Sequence, residues 1–503
     1  MRNASVRIRI KGTGVYVEPF RAQAQPAFAS TGQGKRTASM RRVSGAGPNS
    51  LVGSNVALLR QQSRQSTRTQ WASGRAVDLA VTHTIGTGIK PQSLCPDPAF
   101  REAVQQLWYD WTEFADADGV LDFYGLQALA VQEWVEGGEC FARLRPRRPS
   151  DGLPVPLQVQ LIEPEQVPLD HTTIVTGGNS VVQGIERDSV GRRAAYWMHR
   201  QHPGEWVLGN GDSSLVRVLA SEVLHLYHPT RAGQLRGIPQ LSRMLVRLND
   251  AGQYEDAEIV RKKVAAMKMG AITRKPGSNE GDPLVGEGEA DATGVADVGM
   301  EPGTMLVLED GEDVKWFDPV DVGGNFETFM RWNYRGVAAS VNQLYEEVTG
   351  DYSTLNDRTF RAAFNTFKRR YAFYQHNIVA HQFCSPVWRR FIDLALIAGT
   401  LQRPPGMTDR DLYRVAWTPD RWAYIHPLQD VQAVLKEIEG GLSSRAKAVS
   451  ERGDDIEDID RQRSDDARRE QTLGLAPVAP SDGGDRYRVT PSAPAPEPGA
   501  SKP

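Results

Sequence analysis

Residues 239–269, PQLSRMLVRLNDAGQYEDAEIVRKKVAAMKM, carry one continuous apolar stripe at helical spacing. Pro239 stands at the start, where a helix tolerates proline because the first N–H groups have no partner within the helix. Roughly 30 residues at 1.5 Å each give a rod of about 45 Å, longer than a globular core usually needs. The stretch therefore predicts a helix suited to assembly. Its stripe comprises Leu241, Leu245, Leu248, Ala251, Tyr254, Ala257, Val260, Val264 and Met267.

A small β-containing segment separates this rod from a second one. Residues 276–303 are Gly-rich and acidic without any basic residue, which predicts a solvated loop. Residues 304–308 and 314–317 have the composition of strands and flank Glu309-Asp310-Gly311, which predicts a hairpin. Residues 326–348 then have the pattern of the second helix. Two rods thus flank a β insertion.

A third long helix is predicted to begin near Asp357, after the polar break at 349–353. Apolar side chains recur along it with a period near 3.5, and such a seam requires a partner helix. Ser385-Pro386 resembles a helix cap followed by proline, which predicts a separate helix that ends at Gly399. Residues 428–470 are expected to be helical and increasingly charged. The seam consists of Phe360, Phe364, Phe367, Tyr371, Tyr374 and Ile378.

The half of the chain before the first rod mixes helices and strands. Helical patterns cover 51–84, 100–114 and 124–136, and the last two present apolar stripes that indicate a core-facing side. Short alternating segments between turn signals predict strands at 157–162, 181–186, 194–199 and 222–227. The fold class expected from the whole chain is α+β, mainly helical.

The size and charge of the chain exclude several functions. Its 503 residues suggest roughly three domains, and 59 basic against 62 acidic residues give a formal charge of −3. A chain so nearly neutral is not a polyanion binder of the histone kind, because it lacks the net positive charge that attracts a polyanion. Three dispersed cysteines and no apolar run of 18 residues favour a soluble protein of a reducing cytosol. Residues 1–50 are expected to form a disordered basic arm and 471–503 a disordered tail.

Searches for catalytic chemistry return no site. The chain has no phosphate-binding GxxxxGK[ST] and no GxSxG, and His376 and His381 lack the arrangement of a metal-ligating helix. The Asp116–Asp122 stretch lacks the closing glutamate of a calcium loop and is interpreted as a turn between helices. For His225, at a strand, a hydrogen-bonded structural role is favoured. We therefore expect no catalytic residue, no metal and no cofactor.

Several blocks in order along residues 50–400 resemble the lambda-type family of phage portal proteins. Each block is short, but their shared order and spacing are specific. Tyr352-Ser353-Thr354 matches the family's usual signature, although Leu355-Asn356-Asp357 follows where smaller residues are more common. The other blocks are Gly86-Thr87-Gly88-Ile89-Lys90-Pro91, Trp108 with Trp111, Gly138-Glu139, Leu161-Ile162-Glu163-Pro164-Glu165, residues 225–239, residues 254–266 and Arg358 with Arg361-Ala362-Ala363.

The resemblance implies a portal fold, which is ring-forming and has wing, stem, clip and crown regions. In this sequence it assigns the wing to 51–236 and 358–425, the stem helices to 237–268 and 321–348, the clip with its acidic loop to 269–320, the tunnel loop to 349–357 and the crown to 426–470. It further implies a ring of about twelve subunits at one capsid vertex, assembled in the bacterial cytoplasm without a membrane. The expected partners are other copies of the chain, double-stranded DNA contacted without sequence specificity, the terminase large subunit, major capsid and scaffold proteins, and head-completion or tail connector proteins.

Candidate functional residues follow from the same resemblance, combined with their polar or basic chemistry. The tunnel loop supplies the residues expected to face DNA in the channel, and basic residues on the helices are candidates for phosphate or subunit contacts. The channel candidates are Thr349, Gly350, Asp351, Tyr352, Ser353, Asn356 and Arg358, and the contact candidates are Lys262, Lys263, Lys268 and Arg361.

Two other classes of protein remain open from the residues alone. A nucleic-acid-processing enzyme would need a cluster of three or more carboxylates able to hold a divalent metal. A neck adaptor ring would share the oligomeric architecture but would not nucleate shell assembly. The passive conduit, which performs no bond-making of its own, remains the leading hypothesis.

Overall fold

The computed structural model contains an α+β fold that is mainly helical, as expected from the sequence. It describes residues 8–9, 16–17, 45–175, 177–205, 214–266, 270–274, 312–316, 326–353, 355–420, 422, 427–452 and 454–474. The helices are α1 (Pro48–Thr69), α2 (Trp71–Ile85), α3 (Pro98–Thr112), α4 (Phe123–Gly137), α5 (Leu245–Ala266), α6 (Phe326–Ser340), α7 (Tyr345–Thr349), α8 (Asp357–Tyr374), α9 (Ser385–Ala398), α10 (Asp409–Leu412), α11 (Pro427–Glu439), α12 (Arg445–Ser450) and α13 (Ile456–Leu473).

Antiparallel sheets lie between and beside these helices. A three-stranded sheet has the order β11-β4-β5, a five-stranded sheet the order β10-β9-β8-β7-β6, and the remaining strands pair in twos. The strands are β1 (Ile8–Arg9), β2 (Tyr16–Val17), β3 (Lys90–Ser93), β4 (Glu139–Pro146), β5 (Leu157–Ile162), β6 (Thr173–Ile174), β7 (Ser180–Val182), β8 (Ile185–Arg187), β9 (Arg193–His199), β10 (Leu215–Leu219), β11 (Val223–Tyr227), β12 (Gly270–Arg274), β13 (Glu312–Trp316) and β14 (Val415–Thr418).

One apolar core joins the segments before and after the first rod. Trp108 lies at ring-centroid distances of 5.0 Å from Phe123 and 5.1 Å from Trp388, and Trp111 lies 5.2 Å from Phe391. All five side chains are fully buried. Strand β14, which the sequence patterns missed, also pairs with β3. The two stretches that the resemblance assigns to the wing are therefore one folding unit.

The strand predicted at 181–186 is wrong, because the chain folds back on itself there. Strands β7 and β8 form a hairpin in which Val182 pairs with Ile185. The two residues between them, Gln183 and Gly184, have φ angles of 54° and 77°. Two successive left-handed residues make a type I′ turn, which matches the twist of paired strands. Apolar residues flank the turn on both sides as they would in one continuous strand, so the sequence pattern does not reveal it.

The first rod is shorter than predicted. Residues Gln240–Arg243 form a single 3₁₀ turn, and α5 begins only at Leu245 rather than at Pro239. Leu241 and Met244 are both fully buried. Because residues three apart lie above one another in a 3₁₀ turn, this geometry buries both against the core. The 22 residues of α5 span about 33 Å.

The second rod, predicted over 326–348, is broken. Helix α6 ends at Ser340, and Asn342 adopts a left-handed φ of 61°. Asparagine tolerates this conformation better than most residues. The turn lets the buried Gln343 donate its amide to the carbonyl of Ala76 on α2, at 2.5 Å. The short helix α7 then follows in a new direction.

The separate helix predicted to start at Ser385 is also wrong, because the chain stays helical from Asp357 to Ala398. A π-helical stretch, Gln375–Cys384, connects α8 to α9, and Ser385 has the helical angles φ −65° and ψ −38°. A π-helix pairs each N–H with the carbonyl five residues back, so Pro386 avoids the clash it would cause in an α-helix. The predicted end at Gly399 is confirmed, with φ 77°.

Several predicted boundaries shift at the ends and at the insertion. Helix α1 begins at Pro48, within the arm predicted to be disordered, because proline suits the first helical turn. Helix α13 continues to Leu473, where Gly474 ends it at φ 66°. Strand β13 pairs with β12 across the insertion. The hairpin partner predicted at 304–308 and the acidic stretch 276–303 lie outside the described residues.

No helix in the described part of the chain is both long and apolar enough to cross a bilayer.

Candidate functional site

The segment between α7 and α8 carries most of the predicted channel residues. Gly350 ends α7 in the left-handed conformation, with φ 71°, and its N–H donates to the carbonyl of Glu346 at 2.8 Å. Helix α8 begins at Asp357, where the Asn356 side chain accepts the N–H of Arg358 at 3.0 Å. The segment is therefore a turn with a defined cap at each end, as its residue types predict.

Asp351 is the anchor of this turn. Its carboxylate accepts the Tyr345 hydroxyl at 3.0 Å, the backbone N–H of Ser353 at 3.1 Å and the Ser353 hydroxyl at 2.5 Å. Arg331 of α6 lies 3.2 Å from the same carboxylate. The hydrogen bonds from Ser353, then that from Tyr345, and the charge of Arg331 lower the pKa of Asp351. The turn is thus fixed to α6 through an ionised group.

Helix α6 in turn packs against α5. Tyr254 stacks on Phe326 with ring centroids 5.8 Å apart, and the Tyr334 hydroxyl donates to Glu255 at 3.2 Å. Burial, followed by the charge of Glu255, raises the pKa of Tyr334, so the hydroxyl stays protonated as the donor. The turn, α6 and α5 therefore form one connected unit.

Tyr352 is a large aromatic side chain that this turn exposes to solvent. Its side chain is 55% exposed, whereas Asp351 and Thr349 point their polar atoms into the turn. Thr349 donates its hydroxyl to the carbonyl of Tyr345 and accepts the N–H of Asp351. An exposed phenol offers both an aromatic face and a hydroxyl to a passing ligand.

The basic candidates do not gather at this turn. Arg358 is exposed and Arg361 is half-buried, both on the first turns of α8. Lys262 and Lys263 are exposed near the C-terminal end of α5. The contacts that anchor the turn are made by Arg331 of α6 and Tyr345 of α7. Lys268 lies outside the described residues. The structure brings together the polar channel candidates and Arg358, and it places the lysine pair elsewhere.

A buried ionic cluster, which the sequence patterns missed, lies at the base of α5. Glu139 is 0% exposed, and its Oε1 lies 2.7 Å from Arg236 and 3.0 Å from Arg60. Its Oε2 accepts the N–H of Gly237 at 2.7 Å and lies 2.9 Å from Nε2 of His225. We call these residues, Glu139, Arg60, Arg236 and His225, the Glu139 cluster.

The remaining donors of the Glu139 cluster are also satisfied. Arg236 donates to the carbonyls of Val167, Gln183 and Pro164, and Arg60 donates to the carbonyl of Gly137. Burial alone would raise the pKa of Glu139, but Arg236, His225 and Arg60 together hold it well below its usual range. The cluster therefore links α1, β4 and β11 to the chain that enters α5.

Two glycines let the backbone segments beside the cluster meet. A Cβ on Gly237 would lie 2.0 Å from the carbonyl oxygen of Gly138, and a Cβ on Gly138 would lie 2.6 Å from the backbone of Ile238. Both positions belong to the blocks that carry the family resemblance. These blocks were therefore the only sequence signal for the cluster. They do not reveal the pairing itself, because 97 residues separate Glu139 from Arg236 and no local pattern joins them.

The Glu139 cluster predicts how stability depends on pH. Burial lowers the pKa of His225 to about 4, with Arg193 and Arg236 adding to the shift and Glu139 opposing it. Between about pH 6.5 and pH 4 the unfolded chain, whose histidine pKa is near 6.5, binds more protons than the folded chain. Lowering the pH through this window therefore decreases the free energy of unfolding by up to about 3 kcal/mol. We expect His225→Gln to lose this dependence in denaturation midpoints measured at pH 7.5 and pH 5.

The difference between parent and variant is the informative quantity, because other groups titrate in the same range. Burial raises the pKa of Glu133 to about 7, although Arg64 opposes the shift. Because the folded chain then binds a proton more readily than the unfolded chain, this raised pKa increases stability as the pH falls. His376→Gln, the same change at an exposed position, serves as the control. An unchanged pH slope in His225→Gln would contradict the assignment.

Within the described ranges, one group of three side chains has the spacing of metal ligands. Glu163, Glu165 and His202 bring their ligand atoms within 4.8 Å of one another. Arg64 already occupies this group, at 2.8 Å from Glu165 and 3.5 Å from Glu163. A guanidinium there supplies the positive charge that a metal would bring, and the group lacks the three carboxylates expected of a nuclease-like centre.

The Asp116 turn is confirmed as a turn between helices. The carboxylate of Asp116 accepts the backbone N–H groups of Asp118, Val120 and Leu121, at 2.9 to 3.0 Å. The carboxylate of Asp116 therefore accepts hydrogen bonds from the backbone of its own loop. The imidazole of His225 is hydrogen-bonded, as its position predicts, with Nε2 2.9 Å from Glu139 and Nδ1 3.1 Å from Arg193.

Comparisons with known proteins place the chain among phage portal proteins. The family model described as "Phage portal protein, lambda family" matches residues 33–375. The chain therefore belongs to the lambda family of phage portal proteins, as the sequence blocks indicated.

The individual relatives share little sequence identity with this chain, but they match it over long stretches. The "Probable portal protein" of Halomonas phage phiHAP-1 is 24% identical over 429 residues, which cover 83% of this chain and 81% of the relative. "Portal protein B" of Escherichia phage lambda is 22% identical over 304 residues, 56% of this chain and 54% of the relative. Among solved structures, a chain from the "Neck of empty GTA particle computed with C6 symmetry" aligns with a TM-score of 0.42 at 15% identity, over 78% of this chain and 93% of that one.

Proposed function

We propose that this chain is the portal subunit of a tailed phage or prophage. Copies assemble as a ring at one capsid vertex, where double-stranded DNA enters during packaging and leaves during ejection. The ring serves as the docking platform for the terminase large subunit, for capsid and scaffold proteins, and later for head-completion or tail proteins. The subunit itself is structural and passive in chemistry.

The observation that carries this proposal is an apolar surface left uncovered on the paired helices α5 and α6. Val246 and Val260 of α5 are 75% and 58% exposed, and Trp332 of α6 is 67% exposed. Val246 and Val260 are separated by nearly four full turns, so they share a face that differs from the buried face of α5. Exposed apolar side chains on a face turned away from the core are candidates for burial against another subunit, and two unlike faces meeting head to tail close a ring.

The regions of the proposed ring follow the helices that the structure describes. Helices α5 and α6 are the stem, the insertion at 269–320 is the clip, and the turn at 349–357 is the tunnel loop. The core shared by α3, α4 and α9 belongs to the wing, and residues 426–470 form the crown. In this arrangement Tyr352 faces the channel, while Asp351 and Arg331 hold its turn on the stem.

Removing Asp351, Tyr352 and Ser353 tests the role of the tunnel loop. We expect the variant to form rings like the parent, because none of the three residues belongs to the exposed apolar side chains of α5 and α6. We expect it to fill several-fold fewer heads with DNA. Ring formation is measured by electron microscopy and packaging by nuclease-protected DNA per head. A matched control removes residues 440–442, an exposed link of equal length between α11 and α12. Normal packaging by the loop variant would contradict the proposed role.

A further inference from the structure

A basic concavity lies on the side of the fold where the π-helical stretch meets α9 and β14. Its volume is about 820 Å³, within the range of about 300–1,000 Å³ typical of ligand pockets. Arg389 of α9, Arg410 of α10 and Arg414, which precedes β14, lie around it with His376 and His381. None of its lining residues in the described chain is acidic. We call it the arginine pocket.

Within the described ranges, none of the three arginines has an ion-pair partner. Among the described residues, no carboxylate oxygen lies within 4.0 Å of the guanidinium groups of Arg389, Arg410 or Arg414. The neighbouring acid Asp411 caps a helix, accepting the hydroxyl and N–H of Thr408 at 2.6 and 3.1 Å, and the charges of Arg414 and Arg410 act on it without a direct ion pair. Three guanidinium groups facing one concavity repel each other, so an anion that enters gains from all of them.

The backbone at Arg389 and at Arg414 belongs to well-packed parts of the fold. Arg389 follows the fully buried Trp388, and the backbone carbonyl of Arg414 accepts the N–H of Leu94 at 2.8 Å. The indole of Trp417 donates to the Ser385 hydroxyl at 2.9 Å, which closes one wall. Because the indole N–H is already satisfied, the wall offers an apolar surface while the arginines remain as donors.

The shape of the pocket favours a peptide over a duplex. A duplex is a convex rod that is too wide to enter a concavity of about 820 Å³, so its phosphates would reach only the rim. An extended peptide can enter, and carboxylates match the planar fork of arginine, the usual basis of acidic-motif recognition. We propose that the arginine pocket binds an acidic peptide segment of a partner protein through Arg389, Arg410 and Arg414. This site is additional to the proposed ring and channel.

The test is binding of a fluorescein-labelled hexapeptide of alternating Asp and Glu to the full-length protein, followed by fluorescence anisotropy. We expect salt-sensitive binding that weakens at least about tenfold in R389E–R414E, because two charge-assisted contacts become repulsive. R389Q–R414Q, which removes the charges without reversing them, is expected to weaken it by a smaller factor and guards against misfolding of the first variant. R468E–R469E changes the net charge equally at exposed positions of α13 and is expected to bind like the parent.

Three outcomes would overturn the proposal. Equal weakening in the R468E–R469E control would show that only the overall field attracts the peptide. A duplex oligonucleotide that binds more tightly than the peptide and responds to R389E–R414E would assign the pocket to phosphates. A changed subunit number of R389E–R414E in mass photometry would show that a neighbouring copy of the chain fills the pocket.

Discussion

Replacing Glu139 by glutamine is expected to lower the free energy of unfolding by about 3–5 kcal/mol, the usual loss when one partner of a buried ion pair is removed. The variant keeps the shape of the side chain but leaves Arg60 and Arg236, which are 2% and 0% exposed, without their shared anion. Their remaining hydrogen bonds go to backbone carbonyls, and Glu165, 3.8 Å from Arg60, would offset only one of the two charges. The denaturant midpoint of the full-length protein at fixed concentration measures the effect.

Glu327→Gln is the matched control for this experiment. Glu327 pairs with Arg331 at 2.9 Å, but its side chain is 81% exposed, and exposed pairs contribute about 0–1 kcal/mol. If Glu139→Gln were no less stable than Glu327→Gln, the Glu139 cluster would not be the anchor described above. Because Glu139 also accepts the N–H of Gly237, we expect the junction with α5 to lose protection from hydrogen exchange first.

Gly237→Ala is expected to be the second severe substitution, costing more than about 3 kcal/mol and leaving much of the protein insoluble. Overpacking usually costs about 1–3 kcal/mol when side chains can move aside. Here the added Cβ would lie 2.0 Å from the backbone oxygen of Gly138, and backbone at a buried junction cannot swing away. Soluble yield and denaturant midpoint measure the loss.

Gly45→Ala provides the comparison, because a Cβ there meets no atom within 4 Å. We expect this variant to behave like the parent. A soluble Gly237→Ala protein with the parent's midpoint would mean that Gly138 and Gly237 do not pack as closely as the structure shows.

Elements governed by local signals could be predicted from the sequence. Helix α4 starts where Asp122 accepts the N–H of Gly125, and α8 starts where Asn356 caps it. The sequence therefore predicts both ends of α4 within one residue and the start of α8. Strand β5 has the predicted bounds because its alternation is regular and its ends carry turn residues. The polar turn before α8 was recognised for the same reason.

Elements that depend on contacts between distant residues could not be predicted from the sequence. The break after α6 depends on Gln343 reaching α2, and the π-helical stretch depends on accommodating Pro386 within a buried helix. The Glu139 cluster joins residues from four separate parts of the chain. A sequence pattern records spacing along one element, so it does not reveal which charges meet when elements pack.

The Glu139 cluster and the tunnel loop have complementary roles in the proposed portal. The cluster fixes the entry to α5 on the wing, and Asp351 fixes the loop to α6 through Arg331. Forces applied to the loop by moving DNA would therefore pass through the stem to a buried, fully hydrogen-bonded anchor.

The most direct measurement of the central claim is the mass and shape of the purified full-length protein by mass photometry and electron microscopy. The proposed portal predicts closed rings of about twelve subunits with a central hole, held by the uncovered faces of α5 and α6. A single compact particle with the mass of one chain across a wide concentration range would contradict it.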